Sequence, residues 1–310
     1  MKISDIIKEA RKPFPSIEIV PPLKGISKKE LIDGIRPFME FNPPYINVTT
    51  HRDEVEFVQK ADGSYSRHLV KRRVSETAVC GAIQSEFKVE VVPHIICAGA
   101  DKTQIANTLS DFRFMGLNNV LALRGDSMVG EKRFTPDPDG YRYAGELVAA
   151  IKEFDEKDNS CESFCIGVGA YPEKHFEAPN IETDIANLKK KVDAGADYII
   201  TQMFFDNQRF YDFVNRCREA GITIPIIPGL KPISTLKHIQ LLPESFSIDI
   251  PLELTKEISQ HSDSKSAVYQ IGLEWCLNQC RDLLANGFKA VHFYTMGKAE
   301  NVSAILRQCF

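Results

Sequence analysis

The stretch 184-DIANLKKKVDAGADYIITQMFFD-206 holds the unit from which the fold of the whole chain can be read. Ile185, Leu188 and Val192 recur at helical spacing, so its first half reads as an amphipathic helix. Gly195 stands where helices commonly end, because glycine enters left-handed backbone without a Cβ penalty. A run rich in β-branched and aromatic residues follows, Asp197–Phe204, and reads as a buried strand. Seven further runs of this kind recur along the chain: Ser16–Val20, Tyr45–Thr50, Val89–Cys97, Asn119–Gly125, Cys165–Tyr171, Ile224–Leu230 and Ala290–Thr295. Helical patterns lie between them, including KKELIDGIRPFMEF, TQIANTLSDFRFMG, YAGELVAAIKEFDEK and QRFYDFVNRCREAG, and Gly116, Gly221 and Gly287 also close helices. Strands alternating with helices imply a parallel sheet with helices outside. Eight such units in 310 residues predict an α/β fold, a (β/α)8 TIM barrel forming a single domain over 1–310. An open doubly wound sheet is the alternative, but no GxGxxG opens a helix after any strand. The polar stretch SMVGEKRFTPDPDG after the fourth strand reads as a surface loop, not a domain boundary.

Apolar residues make up 43% of the chain and charged residues 26%, so there is material for a sizeable core. A net charge of −4 gives no electrostatic pull toward nucleic acid or an anionic membrane, and neither is expected as a partner. The short basic run Lys71-Arg72-Arg73 reads as a solvated helix face. No stretch approaches the length of an apolar membrane span, and the N-terminal MKISDIIKEARKPF is amphipathic without an apolar signal core. A cytoplasmic protein is the expectation. The eight cysteines are dispersed; Cys161 and Cys165, and Cys276 and Cys280, are four apart, and there is no CxxC. Reduced, mostly buried thiols are expected, not a zinc site.

A barrel gathers its reacting groups at the C-terminal ends of its strands. By that rule the candidates are Glu18; Thr49, Thr50 and His51; His94; Arg124, Gly125 and Asp126; Tyr171, Glu173 and His175; Gln202 and Asp206; Lys231; and His292, Tyr294 and Thr295. So many polar strand ends suit a large ligand. In SIEIVPP, Glu18 sits inside an apolar run, where an unpaired carboxylate costs several kcal/mol unless it finds a partner or keeps its proton. It reads either as a salt-bridged group or as a general acid whose pKa is raised by apolar walls. In LRGD, Gly125 lets backbone approach a ligand, Arg124 can clamp a phosphate, and Asp126 can accept from an NH. His94, flanked by apolar residues in VVPHIIC, reads by itself as a satisfied structural histidine. His94, His175 and His292 with Glu18 make a conceivable metal set, but no HxH or HExxH fixes them, and no metal is expected. Lys191 lies in a helical pattern and reads as surface. Lys231, in PGLKP after a strand, could be a Schiff-base lysine, which keeps a barrel aldolase in contention.

Taken together, IEIVPP, PHIICAG, LALRGD, GAYPEKHFEA, NLKKKVDAGADYIITQMFFD, IIPGLKP and HFYTMGKAE resemble, in order and spacing, the catalytic domain of the methylenetetrahydrofolate reductase family. The likeness runs over essentially the whole chain and matches the short, bacterial-type form. It implies a barrel that holds FAD noncovalently at its mouth. It further implies reduction of 5,10-methylenetetrahydrofolate to 5-methyltetrahydrofolate by NADH or NADPH in a ping-pong cycle, within one-carbon metabolism. A homo-oligomer is the expected state. The resemblance places Glu18 at the general-acid position, where a proton delivered to N10 of the folate opens its imidazolidine ring to a 5-iminium cation. It places Asp126 near flavin and pterin. Thr49, His94, Arg124, Gly125, Tyr171, His175, Asp184 and Lys191 match flavin-contacting positions, Lys191 now as a cofactor-phosphate contact, while Gln202 and Tyr294 match the folate side. Two departures stand out: aliphatic IEIVPP where FEFFPP is common, and Lys298 where an arginine is common and contacts the folate glutamate tail. A noncatalytic flavin- or folate-binding barrel is the third reading beside reductase and lyase.

Overall fold

A computed structural model describes residues 1–127, 133–158, 163–296 and 299–310. Its elements follow in chain order as α1 (Ile3–Glu9), β1 (Phe14–Ile19), α2 (Lys28–Met39), β2 (Tyr45–Val48), β3 (Glu54–Gln59), β4 (Tyr65–Val70), α3 (Glu76–Phe87), β5 (Glu90–Ile96), α4 (Lys102–Phe114) and β6 (Asn119–Leu123). They continue as α5 (Ala144–Lys157), β7 (Cys165–Ala170), α6 (Ile181–Asp193), β8 (Tyr198–Met203), α7 (Asn207–Glu219), β9 (Ile226–Leu230), α8 (His238–Phe246), α9 (Leu252–Gln260), α10 (Lys265–Ala285), β10 (Ala290–Tyr294) and α11 (Ala299–Cys309). Eight strands close a parallel barrel in the order β1-β10-β9-β8-β7-β6-β5-β2. These are the eight runs read from the sequence, seven of them shortened by a residue or two at their ends, while β1 begins two residues earlier, at Phe14.

Alternation along each strand decides what the barrel contains. Ile17, Ile46, Val91, Val120, Ile166, Ile199 and Val291 face outward and join the helices in one large apolar cluster. Phe14, Tyr45, Val92, Leu121, Cys165, Tyr198, Ile200, Ile227 and Ala290 face inward and fill the lower barrel. Ile3 of α1 plugs that end, with its backbone N–H donating to Asn119 Oδ1 at 3.0 Å. Above this apolar floor the interior turns polar: Ser16, Glu18, Asn47, His94 and His292 are all buried. Registers Ser16↔His292, Glu18↔Tyr294 and Glu18↔Asn47 bring them to neighbouring rungs.

Two parts differ from the sequence reading. β3 and β4 form a separate antiparallel hairpin between β2 and α3, turning at Gly63. The basic run 71–73 is therefore not on a helix. It leaves the hairpin, where Arg72 pairs with Glu54 and Glu56 and Arg73 donates to the Pro21 carbonyl. α8 and α9 also intervene between β9 and α10 and pack with Met203, Phe205 and Ile233 into a third apolar cluster. The seven described cysteines are free, six of them buried; Cys161 lies outside the described residues. No helix among the described residues is long and apolar enough to cross a membrane.

Candidate active site

Glu18 is next to last in β1 and points into the top of the barrel, only 8% exposed. Its Oε2 lies 3.7 Å from His292 Nε2. Behind His292 runs a buried polar string: His292 Nδ1 is 2.9 Å from Ser16 Oγ, and Asn47 Nδ2 donates to the same oxygen at 3.0 Å. Because Ser16 accepts from Asn47, its own hydrogen is free to go to His292 Nδ1. That arrangement leaves the His292 proton on Nε2, facing Glu18. Burial pushes the Glu18 carboxyl up, but the His292 contact and the fields of His94, His292 and His51 pull it below the usual carboxylate value. This corrects the expectation of a carboxyl raised by apolar walls, since its neighbours are imidazoles. His94, 3% exposed, is pushed down to about 4 by burial and stays neutral at physiological pH. Its backbone carbonyl accepts from Thr50 Oγ1. Thr49 lies just past β2, with Oγ1 3.4 Å from His51 Nδ1.

A second cluster collects on the other side of the mouth. Arg124 follows β6, pairs with Glu177 and lies 5.0 Å from the Phe134 ring centroid. Gly125 has φ +84°, and a Cβ there would stand 2.7 Å from the Ala98 side chain, so only glycine fits this corner. Tyr171 and His175 leave β7 in one loop with ring centroids 4.7 Å apart, edge to face. Asp184, in the first turn of α6, accepts from the His175 backbone N–H at 2.8 Å and fixes the loop. Lys191, at the other end of α6, turns inward to donate to the Gly169 carbonyl at 2.8 Å. Burial pushes its amine down to about 8, against the pull of Asp184. The reading of Lys191 as a surface residue is thereby corrected.

Several groups join the two clusters. Asp126 is exposed, and its charge is felt by both His51 and Tyr171. The Tyr294 ring lies 4.8 Å from His292, and its hydroxyl donates to the Thr201 carbonyl at 2.8 Å. Gly229 makes that approach possible, since a Cβ there would stand 2.3 Å from the Thr201 oxygen. Gln202 is half-buried on β8, with Oε1 accepting from the Met203 N–H at 2.9 Å. Glu173 is not with its loop neighbours: it turns away to accept from the Asp249 backbone N–H at 2.7 Å. Lys231 is buried and lines a cavity beside α8. Lys298 lies outside the described residues. Among the described residues no group of three or more His, Cys, Asp or Glu is placed to hold a metal. Ser16 and Asn47 are the site residues that sequence reasoning missed. Ser16 stands two residues before Glu18, hence on the same face of β1, and that spacing was the available signal.

The family described as methylenetetrahydrofolate reductase matches residues 2–309 of the chain. Among curated relatives, methylenetetrahydrofolate reductase (NADH) 1 of Arabidopsis thaliana is 31% identical over 98% of this chain and 49% of its own length. The 5,10-methylenetetrahydrofolate reductase of Escherichia coli (strain K12) is 30% identical over 94% of this chain and 88% of its own. The chain thus spans about half the length of the plant relative and most of the bacterial one. A solved structure of an uncharacterized Clostridium thermocellum protein, which binds two copies of 5-methyl-5,6,7,8-tetrahydrofolic acid, aligns with a TM-score of 0.59 at 14% identity. It covers 99% of this chain and 98% of that one, and at such low identity it supports the fold alone.

Proposed function

The chain belongs to the methylenetetrahydrofolate reductase family, and on that premise we propose that it reduces 5,10-methylenetetrahydrofolate to 5-methyltetrahydrofolate with NADH or NADPH through bound FAD. The observation that carries this reading is the pairing, at one barrel mouth, of a buried carboxylate–imidazole pair with a cluster of Arg124, His175 and Lys191. The residues fit the cofactor: a half-buried lysine weakened by burial, an arginine and an imidazole beside a tyrosine suit a diphosphate with an attached ring system. Arg124, His175 and Lys191 would hold the diphosphate. Gly125 would let backbone come close, and Tyr171, Thr49 and His94 would border the ring. When bound, FAD supplies the hydride carrier between nicotinamide and folate.

The chain's own part is protonation and charge. Glu18 gives a proton to N10 of the folate, which opens the imidazolidine ring and leaves positive charge at N5. Asp126 supplies the negative charge that favours this cation. His292, held in register by Ser16 and Asn47, presents Nε2 to the Glu18 carboxylate. A folate seated over Glu18 excludes water and strengthens the burial effect, already the largest single influence on that carboxyl. Folate binding thereby favours uptake of a proton from solvent by Glu18, ready for transfer to N10. Gln202 and Tyr294, between the clusters, would orient the pterin.

The lyase reading has no comparable support, because the curated relatives named above are reductases. FAD titration of the flavin-stripped chain tests the cofactor assignment. Lys191→Met should weaken FAD binding by about tenfold or more, the scale of a charge-assisted hydrogen bond. Equal affinity in both proteins would remove Lys191 from the cofactor site.

A further inference from the structure

The reaction proposed above uses no thiol, yet three thiols gather on one flank of the barrel, where α10 packs against α11. Cys276 and Cys280 stand one turn apart on α10, and both are buried. Cys309 is the last residue of α11 and is only half-buried. The next residue on α10 and the preceding one on α11 fix the alignment of the helices: Arg281 Nη2 donates to Gln308 Oε1 at 3.1 Å. The Phe310 ring then meets Phe293 of β10 edge to face, with centroids 6.3 Å apart, and holds this end of α11 to the barrel. Cys280 and Cys309 are in direct contact, their thiols sharing a hydrogen bond. That bond, with burial, pushes the Cys280 thiol up, so Cys280 keeps its proton and donates it. The same bond, helped by the charge of Arg281, holds the Cys309 thiol below its ordinary value against the effect of burial. The pair is therefore asymmetric: a half-buried sulfur that favours the thiolate, the nucleophilic form, is backed by a buried sulfur that holds a proton. Cys80 and Cys217, buried and pushed up by that burial, have the environment of inert packing thiols.

We propose that Cys309 and Cys280 form a reversible oxidation site, in which a hydroperoxide oxidises Cys309 and Cys280 closes a disulfide upon it. In the first step the Cys309 thiolate attacks the hydroperoxide. An S–O bond forms, the O–O bond breaks, and the leaving oxygen takes a proton from solvent, as water when the oxidant is hydrogen peroxide. Cys309 is left as a sulfenic acid. In the second step the Cys280 sulfur attacks the Cys309 sulfur. The S–S bond forms, the S–O bond breaks, and the hydroxyl leaves as water with the proton that Cys280 had held. The two thiols have then given two electrons to the peroxide, and a dithiol reductant returns them. The bond ties α10 to α11 across β10, the strand between them in the chain, which carries His292 and Tyr294.

The test treats the reduced, purified protein with an equal amount of hydrogen peroxide and maps its peptides by mass spectrometry without reduction. The chain should lose the mass of two hydrogens, two of its eight cysteines should cease to react with a thiol reagent, and one linked peptide pair should join Cys280 to Cys309. Dithiothreitol should restore both thiols. Cys280→Ser should stop at the sulfenic acid on Cys309, captured by a 1,3-diketone, and Cys276→Ser should form the bond as wild type does. A link through Cys276, a link between two chains, or eight unchanged thiols overturns the proposal. The wild-type peptide map alone decides this, whether or not a variant folds.

Discussion

Glu18 is under two opposing pressures, burial that favours its proton and imidazoles that favour its charge. In the proposed cycle only the folate half needs the proton. Glu18→Gln should therefore leave flavin reduction by the nicotinamide within several-fold of wild type and slow the folate half by about 10² or more, the scale of removing a general acid. Rapid-reaction measurement of the two halves separates these effects, and equal losses would make Glu18 structural. His94 leaves its mark on stability. Its imidazole is held at about 4 in the fold against an ordinary 6.5, so as pH falls the unfolded chain takes up a proton that the folded chain refuses. Stability should fall from about pH 6.5 toward pH 4, by about 3 kcal/mol from this group. The lowered Glu18 carboxyl adds a loss of the same sign at the acid end. Urea unfolding at a series of pH values should show a shallower slope for His94→Asn; an unchanged slope would mean that His94 titrates normally.

At the scale of elements, the loop after β7 is where sequence and structure agree in part. Tyr171 and His175 come together as read, but Glu173 ties the loop to the segment between α8 and α9. Glu173 is pushed up to about 7, first by burial and with the charges of Asp249 and Asp206 adding to it, against Arg209. The folded chain thus holds a proton that the unfolded chain releases from about pH 4.5 upward, so this group costs stability as pH rises toward 7. Glu173→Gln keeps an acceptor for the Asp249 N–H and removes that cost. It should raise the melting temperature at pH 8, by the equivalent of about 1–2 kcal/mol after allowance for partial solvent contact, and leave it unchanged near pH 4. A lower melting temperature at pH 8 would show that the charged form is the stabilising one. The barrel strands were legible because buried parallel strands are continuous β-branched runs. The β3–β4 hairpin was passed over because its runs, EVEFVQ and YSRHLV, are interrupted by charged and polar residues such as Glu54, Glu56 and Arg67. The Asp62-Gly63 turn between alternating flanks was the signal for it.

At the scale of the whole molecule, the barrel converts alternation along single strands into a three-dimensional site. Glu18 was legible as a carboxylate in an apolar run; the imidazoles that reverse the expected direction of its pKa were not. His292 and His94 lie far from Glu18 in sequence, and only barrel closure brings them beside it. Lys191 was similarly hidden: nothing in a helical Lys-Lys-Lys run says which lysine faces the strands, and its contact with Gly169 shows that it is the third. The central claim is that one mouth serves two substrates in turn through one cofactor. Anaerobic stopped-flow of the purified chain, following flavin absorbance, tests it most directly. NADH or NADPH should bleach the bound flavin, and 5,10-methylenetetrahydrofolate added afterwards should restore the colour as 5-methyltetrahydrofolate appears in equal amount. A colourless protein, or a bleached flavin that the folate leaves bleached, would contradict the account.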